Sequence, residues 1–170
     1  NLVTTIKPIG FIHIVRDRIY LFMPGGYGVS EYNTKGERLW KYEHTATITS
    51  FYSTQKGVVL GYSDGKVVYL DQGGNEVFNF YPGGSTYQVI SGVALSGDGK
   101  FIACVSGIEK QRILLVRILA RQYKIVKHKY LKGNLYRQVF VAFDDDSSCA
   151  IFESSDGIGI IDCKNYQIRF

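Results

Sequence analysis

The sequence predicts an all-β fold made of a repeated antiparallel unit, and three observations carry that prediction. One pattern is written twice: Asn33 is followed by Gly36 and Trp40, and Asp71 by Gly74 and Phe78. The copies share an Asx, a Gly three residues on and an aromatic four further, and they stand about 40 residues apart, inside the spacing that marks repeat architectures. Short alternating apolar runs recur between turns rich in Gly, Asp and Asn. The composition agrees, with 45% hydrophobic and 14% aromatic residues and 19 Gly beside only 3 Pro, 1 Met and 1 Trp in 170 residues. That balance suits many short strands joined by tight turns, and the length is enough for a substantial core.

Each copy of the pattern has a mechanism. An alternating strand (Tyr27, Val29; Val68, Leu70) ends in an Asx side chain that bonds the turning backbone, and Gly supplies the positive φ. The aromatic then anchors the return strand.

Taken in order, Ile6 to Ile14 reads as an opening strand after Pro8, and Arg16-Asp17-Arg18 as a turn. Ile19 to Met23 is a strand, Pro24-Gly25-Gly26 a turn, Tyr27 to Tyr32 an alternating strand and Glu37 to Tyr42 the return. The second unit runs Thr47 to Tyr52, Val58 to Tyr62, Lys66 to Leu70 and Val77 to Phe80, with turns at Gln55-Lys56-Gly57, Ser63-Asp64-Gly65 and Gln72-Gly73-Gly74. A third unit comprises Val89 to Leu95, Lys100 to Val105, Ile113 to Leu119 and Tyr123 to Tyr130. The fourth runs Val139 to Phe143, Cys149 to Phe152 and Ile158 to Ile161, with a short last strand before Phe170. Four antiparallel four-stranded units are the blade pattern of a β-propeller, here one domain over residues 1–170 with approximate blades 1–44, 45–86, 87–136 and 137–170.

The paired motif at Asn33-Gly36-Trp40 and Asp71-Gly74-Phe78 resembles the blades of pyrroloquinoline-quinone-type (PQQ-like) propellers. The run Gly92-Val-Ala-Leu-Ser-Gly-Asp-Gly-Lys-Phe-Ile-Ala103 resembles the first hairpin of WD-like blades. The motif decays along the chain: the third unit has Leu119 and Gln122 in place of Asx and Gly, and the fourth keeps Asp162 but has Asn165 and Arg169 in place of Gly and the aromatic. The resemblance implies a propeller scaffold and a place in the bacterial periplasm or at the cell surface. Four blades would make the smallest such ring, so further blades or a second copy of the chain are expected to complete it.

Chemistry is sparse. The quinone-dependent dehydrogenases of that family need a metal-binding carboxylate and amide set beside a catalytic Asp, and no such cluster is legible, so no catalytic residue, cofactor or metal site is assigned. His13, His44 and His128 are scattered over different units. Asp144-Asp145-Asp146 lacks the alternation and Gly of a calcium loop and reads as a solvated turn. Cys104, Cys149 and Cys163 show no C-x-x-C spacing and read as free thiols, mostly buried. The glycine pairs at 25–26, 73–74 and 83–84 precede no helix and read as turns rather than phosphate cradles. No apolar run approaches the roughly 20 residues of a membrane span. The chain opens on Asn1 without a Met or a signal segment, which reads as a mature form or an excised portion.

The most asymmetric feature is the segment from Lys110 to Arg137, which carries nine Lys or Arg and no acid, within a chain of formal charge +5. Arg117, Arg121, Lys124, Lys127 and Lys129 form a candidate basic surface, read first as a solvated rim and second as a dock for an acidic protein, an anionic lipid or, least favoured, nucleic acid. The expected function is a non-catalytic scaffold for protein–protein interaction; the alternatives are a basic docking module and, as the resemblance implies, part of a larger PQQ-like propeller enzyme whose site lies in other blades. The scaffold's contact candidates lie on the loops that propellers turn toward ligands: Tyr27, Asp64, Tyr81, Tyr87 and Tyr136.

Overall fold

The structure, a computed structural model, describes residues 5, 7 and 9–170. Among these it contains strands and no helix. The strands are β1 (Phe11–Val15), β2 (Arg18–Phe22), β3 (Gly28–Tyr32), β4 (Arg38–Glu43), β5 (Ile48–Thr54), β6 (Gly57–Tyr62), β7 (Val67–Leu70) and β8 (Glu76–Phe80). They continue with β9 (Ile90–Leu95), β10 (Phe101–Ser106), β11 (Arg112–Leu119), β12 (Gln122–Tyr130), β13 (Val141–Phe143), β14 (Cys149–Ser154), β15 (Gly157–Asp162) and β16 (Ile168–Arg169). Consecutive strands pair into four antiparallel four-stranded meanders, β1 to β4, β5 to β8, β9 to β12 and β13 to β16. The all-β fold read from the sequence is the observed one. The opening strand starts at Phe11, and the proposed start at Ile6 and the preceding Pro8 lie outside the described residues. The chain forms two compact units, 1–48 and 49–170.

The repeated motif works as its chemistry predicts. Asn33 Oδ1 accepts the backbone N–H groups of Lys35 (2.9 Å) and Glu37 (3.0 Å), and Asp71 Oδ1 those of Gly73 (2.8 Å) and Asn75 (2.9 Å). Gly36 and Gly74 hold φ of 80° and 77°, where a side chain would be strained. A bulge follows in each return strand, which sets Trp40 opposite Glu31 and Phe78 opposite Tyr69. In the last sheet the turn from Asp162 is one residue longer and its positive φ falls on Tyr166 (60°), while β15 and β16 pair without a bulge. The two changes cancel, so Arg169 stands opposite Ile160 in the place of the aromatic. The third sheet replaces the motif with a tight turn on Ala120 (φ 55°).

In unit 1–48 the motif Trp is fastened to a charge. Trp40 Nε1 donates to Glu31 Oε2 at 2.7 Å, and Arg18 reaches the same carboxylate with Nε at 2.8 Å and Nη2 at 2.6 Å. Arg18 also lies over the ring of Tyr20, which packs beside Trp40. The pair is largely desolvated, so its hydrogen bonds must be complete for it to be tolerated.

In unit 49–170 two apolar layers separate three sheets. One joins Val59, Val67 and Phe80 to Ile90, Ile102, Cys104, Leu114 and Val116. The other joins Ala103, Ile113 and Leu115 to Val139, Val141, Phe152 and Ile161. Each fully buried Leu or Ile in these layers contributes about 1.5–3 kcal/mol. Tyr123 of β12 stacks on Phe78 and Phe80 at 5.4 and 4.8 Å and acts as a packing residue. Cys104, Cys149 and Cys163 are free thiols. Burial pushes the Cys104 thiol up to about 12.

Candidate functional site

Three connections of unit 49–170 meet at one end of its sheets: β8–β9, β10–β11 and β12–β13. Gln111 ties two of them together, donating from Nε2 to the Leu135 carbonyl (2.7 Å) and accepting the Leu135 N–H at Oε1 (2.8 Å). Asn134 closes the same seam, accepting from Gln111 N (3.2 Å) and donating to the Glu109 carbonyl (2.8 Å). A buried amide that satisfies both of its ends in this way fixes loop geometry.

The seam walls a cavity of about 330 Å³ lined by Val89, Ile90, Gly107, Ile108, Leu135 and Tyr136, with Thr49, Ser91, Gln111, Arg137 and Gln138 at its margins. Several of the polar side chains here are engaged internally. Thr49 Oγ1 donates to the Ile90 carbonyl (2.6 Å), Ser91 Oγ to the Val105 carbonyl (3.3 Å), and Arg137 Nη1 to Glu153 Oε2 (2.9 Å). The guanidinium of Arg137 holds the Glu153 carboxyl below the usual carboxylate range. With those groups paired, most of the surface left to a visitor is apolar, and the cavity suits an apolar side chain.

Of the five loop residues singled out from sequence, Tyr136 lines this cavity and is 77% exposed. Tyr87 is exposed beside it, and its carbonyl accepts the Ile108 N–H at 3.2 Å. Tyr81 is exposed on the same connection but does not line the cavity. Asp64 serves its own turn, with Oδ1 accepting the Lys66 N–H at 3.0 Å. Tyr27 belongs to unit 1–48, exposed, with its ring against Gly25. Sequence reasoning missed Gln111 and Ile108; the available signal was a Gln set between Lys110 and Arg112 where the chain enters a strand.

The basic residues gather on β11 and β12 more tightly than period two allows. Val126 is an extra residue in the ladder, so Lys124 faces Arg117, Lys127 faces Leu115 and Lys129 faces Ile113, all on one side of the sheet. Among the described residues Arg117, Arg121, Lys124 and Lys127 belong to no ion pair. Lys129 lies over the ring of Phe170 at 4.3 Å. The Asp144 turn is built like the motif turns: its Oδ1 accepts the Cys149 N–H at 2.8 Å, and Ser148 donates to Oδ2. Among the described residues no three of His, Cys, Asp and Glu gather as a metal site, and no helix is long and apolar enough to cross a membrane.

A family model described as beta-propeller protein matches residues 1–170. An uncharacterized protein of Treponema pallidum (strain Nichols) is 46% identical over 158 residues, covering 93% of this chain but only 42% of the relative. The chain thus spans less than half the length of the curated relative it matches. The crystal structure of the computationally designed Ika4 protein superposes with a TM-score of 0.69 at 16% identity, over 95% of this chain and 98% of that one, a likeness that shows the fold alone.

Proposed function

Because the chain belongs to a β-propeller protein family, we propose that it is a non-catalytic scaffold that binds another protein through the cavity beside Tyr136. The observation that carries this reading is the cavity's chemistry: Gln111, Thr49 and Ser91 of its lining bond to neighbouring backbone carbonyls, and an exposed Tyr stands at the rim. Rigid aromatic groups beside apolar recesses are the usual anchors of protein recognition. Peptides selected from a displayed library against the chain should share an apolar residue, and Tyr136→Ala should weaken their binding about tenfold. Selected peptides that bind Tyr136→Ala and Ile108→Asp as well as the parent would overturn the reading.

A second reading, docking of an acidic surface on β12, is favoured by the placing of Arg117 opposite Lys124. Directly opposed like charges cost stability in a sheet, and an acidic partner would offset that cost. The resemblance of the paired motif to PQQ-like repeats supports an envelope location, which fractionation of cells expressing the tagged protein tests. Completion by further blades is a third element of the proposal, supported by an apolar sheet face: Phe140, Ile158 and Ile160 share one side of the last sheet and all are exposed.

A further inference from the structure

Arg112 is the basic residue of the 110–137 segment that folds inward. It opens β11 opposite Ser106, and the β8–β9 connection lies across its guanidinium. A Cβ on Gly84 would come within 2.7 Å of Cζ and Nη1, which places the loop directly against the guanidinium, and the φ of 83° there favours glycine. On the other side, Ser85 Oγ lies 3.3 Å from where a Cβ of Gly107 would stand.

Three polar atoms in this small region are buried without a hydrogen-bond partner: Arg112 Nε, Ser106 Oγ and Ser85 Oγ. Ser106 is only 1% exposed. No ion pair among the described residues includes Arg112. Buried polar groups are ordinarily satisfied, and a cluster that lacks partners marks a missing one. A guanidinium only donates and a hydroxyl can donate, so one acceptor would satisfy all three groups, and an anionic acceptor would also balance the charge of Arg112.

We propose that Arg112, Ser85 and Ser106 form an oxyanion site that takes a carboxylate from the bound partner. A single cation balances one carboxylate, whereas a phosphate dianion would remain half-neutralised in a desolvated spot. The site adjoins the apolar cavity, since Gly107 follows Ser106 and Gln111 precedes Arg112, and both Gly107 and Gln111 line that cavity. The partner is therefore a peptide segment with an acidic residue close to an apolar one. This last step rests on the scaffold reading; the oxyanion site itself does not.

The test is an NMR titration of the 170-residue chain with acetate, with phosphate and with chloride at constant ionic strength. It follows the Arg112 Nε–H signal and the amides of Gly84 and Gly107. Acetate should shift all three with one saturable curve, and Ser106→Ala, or Ser85→Ala on the surface loop if the first does not fold, should weaken the fit about tenfold. Linear shifts that chloride reproduces would mean an adventitious ion only and would overturn the site. So would saturation by phosphate without saturation by acetate, or an unchanged response in both serine variants. Acetate carries only a methyl group, too small to fill the apolar cavity beside Tyr136, so this experiment can fail while the Tyr136 result stands, and the reverse.

Discussion

Asp71 shows how much one side chain does at a blade corner. Its carboxyl sits below its ordinary value of 3.8 because the Asn75 backbone N–H, against a small burial cost, and then the Asn75 side chain and the Gly73 N–H favour the charged form. A carboxyl depressed in the folded state contributes stability that is in place above its unfolded value and is lost as pH falls through the folded one. Urea midpoints should accordingly drop as pH is lowered below about 3.8. In Asp71→Asn, which keeps an acceptor but cannot titrate, that fall should be shallower by at most one proton, less because the site is solvent-screened. An identical slope in the variant would mean that the Asp71 turn does not report on folding. Asp162, lowered by the N–H groups of Asn165 and Lys164, belongs to the same class and leaves a residual slope in the Asp71 variant.

At the scale of elements, β12 is the strand whose sequence disagrees most with simple sheet stability. Arg117 and Lys124 face each other directly and no acid separates them. Lys124→Glu should therefore stabilise unit 49–170 by about 0.5 kcal/mol in chemical denaturation while weakening any salt-sensitive binding to acidic surfaces. A destabilised variant would mean that the strand is already relieved of the repulsion. The strands themselves were legible because alternation and turn chemistry coincide: Val67 to Leu70 ends at Asp71, and Phe101 to Ser106 begins after Ser96-Gly97-Asp98-Gly99. The gathering of the lysines was not, because it depends on Val126 standing outside the ladder, and parity alone assigns Lys124 to the opposite face. The cavity was legible only at Tyr136, since its walls come from loops that meet through the amide of Gln111, and a glutamine's partners leave no mark in the sequence around it.

For the whole molecule, the strongest unmet demand is apolar. In unit 1–48, Phe11, Ile12 and Ile14 of β1 are 70%, 60% and 64% exposed, and in unit 49–170 the last sheet shows Phe140, Ile158 and Ile160 on one side. Surfaces of this kind associate. Light scattering on a dilution series of the 170-residue chain should give a mass above 19.1 kDa, and Ile158→Lys should lower it. A monomer at all concentrations would remove the case for a covering blade. The apolar layer that joins Val59 and Phe80 to Ile90 also encloses Cys104, whose thiol burial has pushed up to about 12. Neutral water leaves that sulfur protonated, and an alkylating reagent reaches it only while the neighbouring sheets stand apart. Its rate of labelling is thus a clock for the breathing of the molecule, wound by the same packing that keeps it shut.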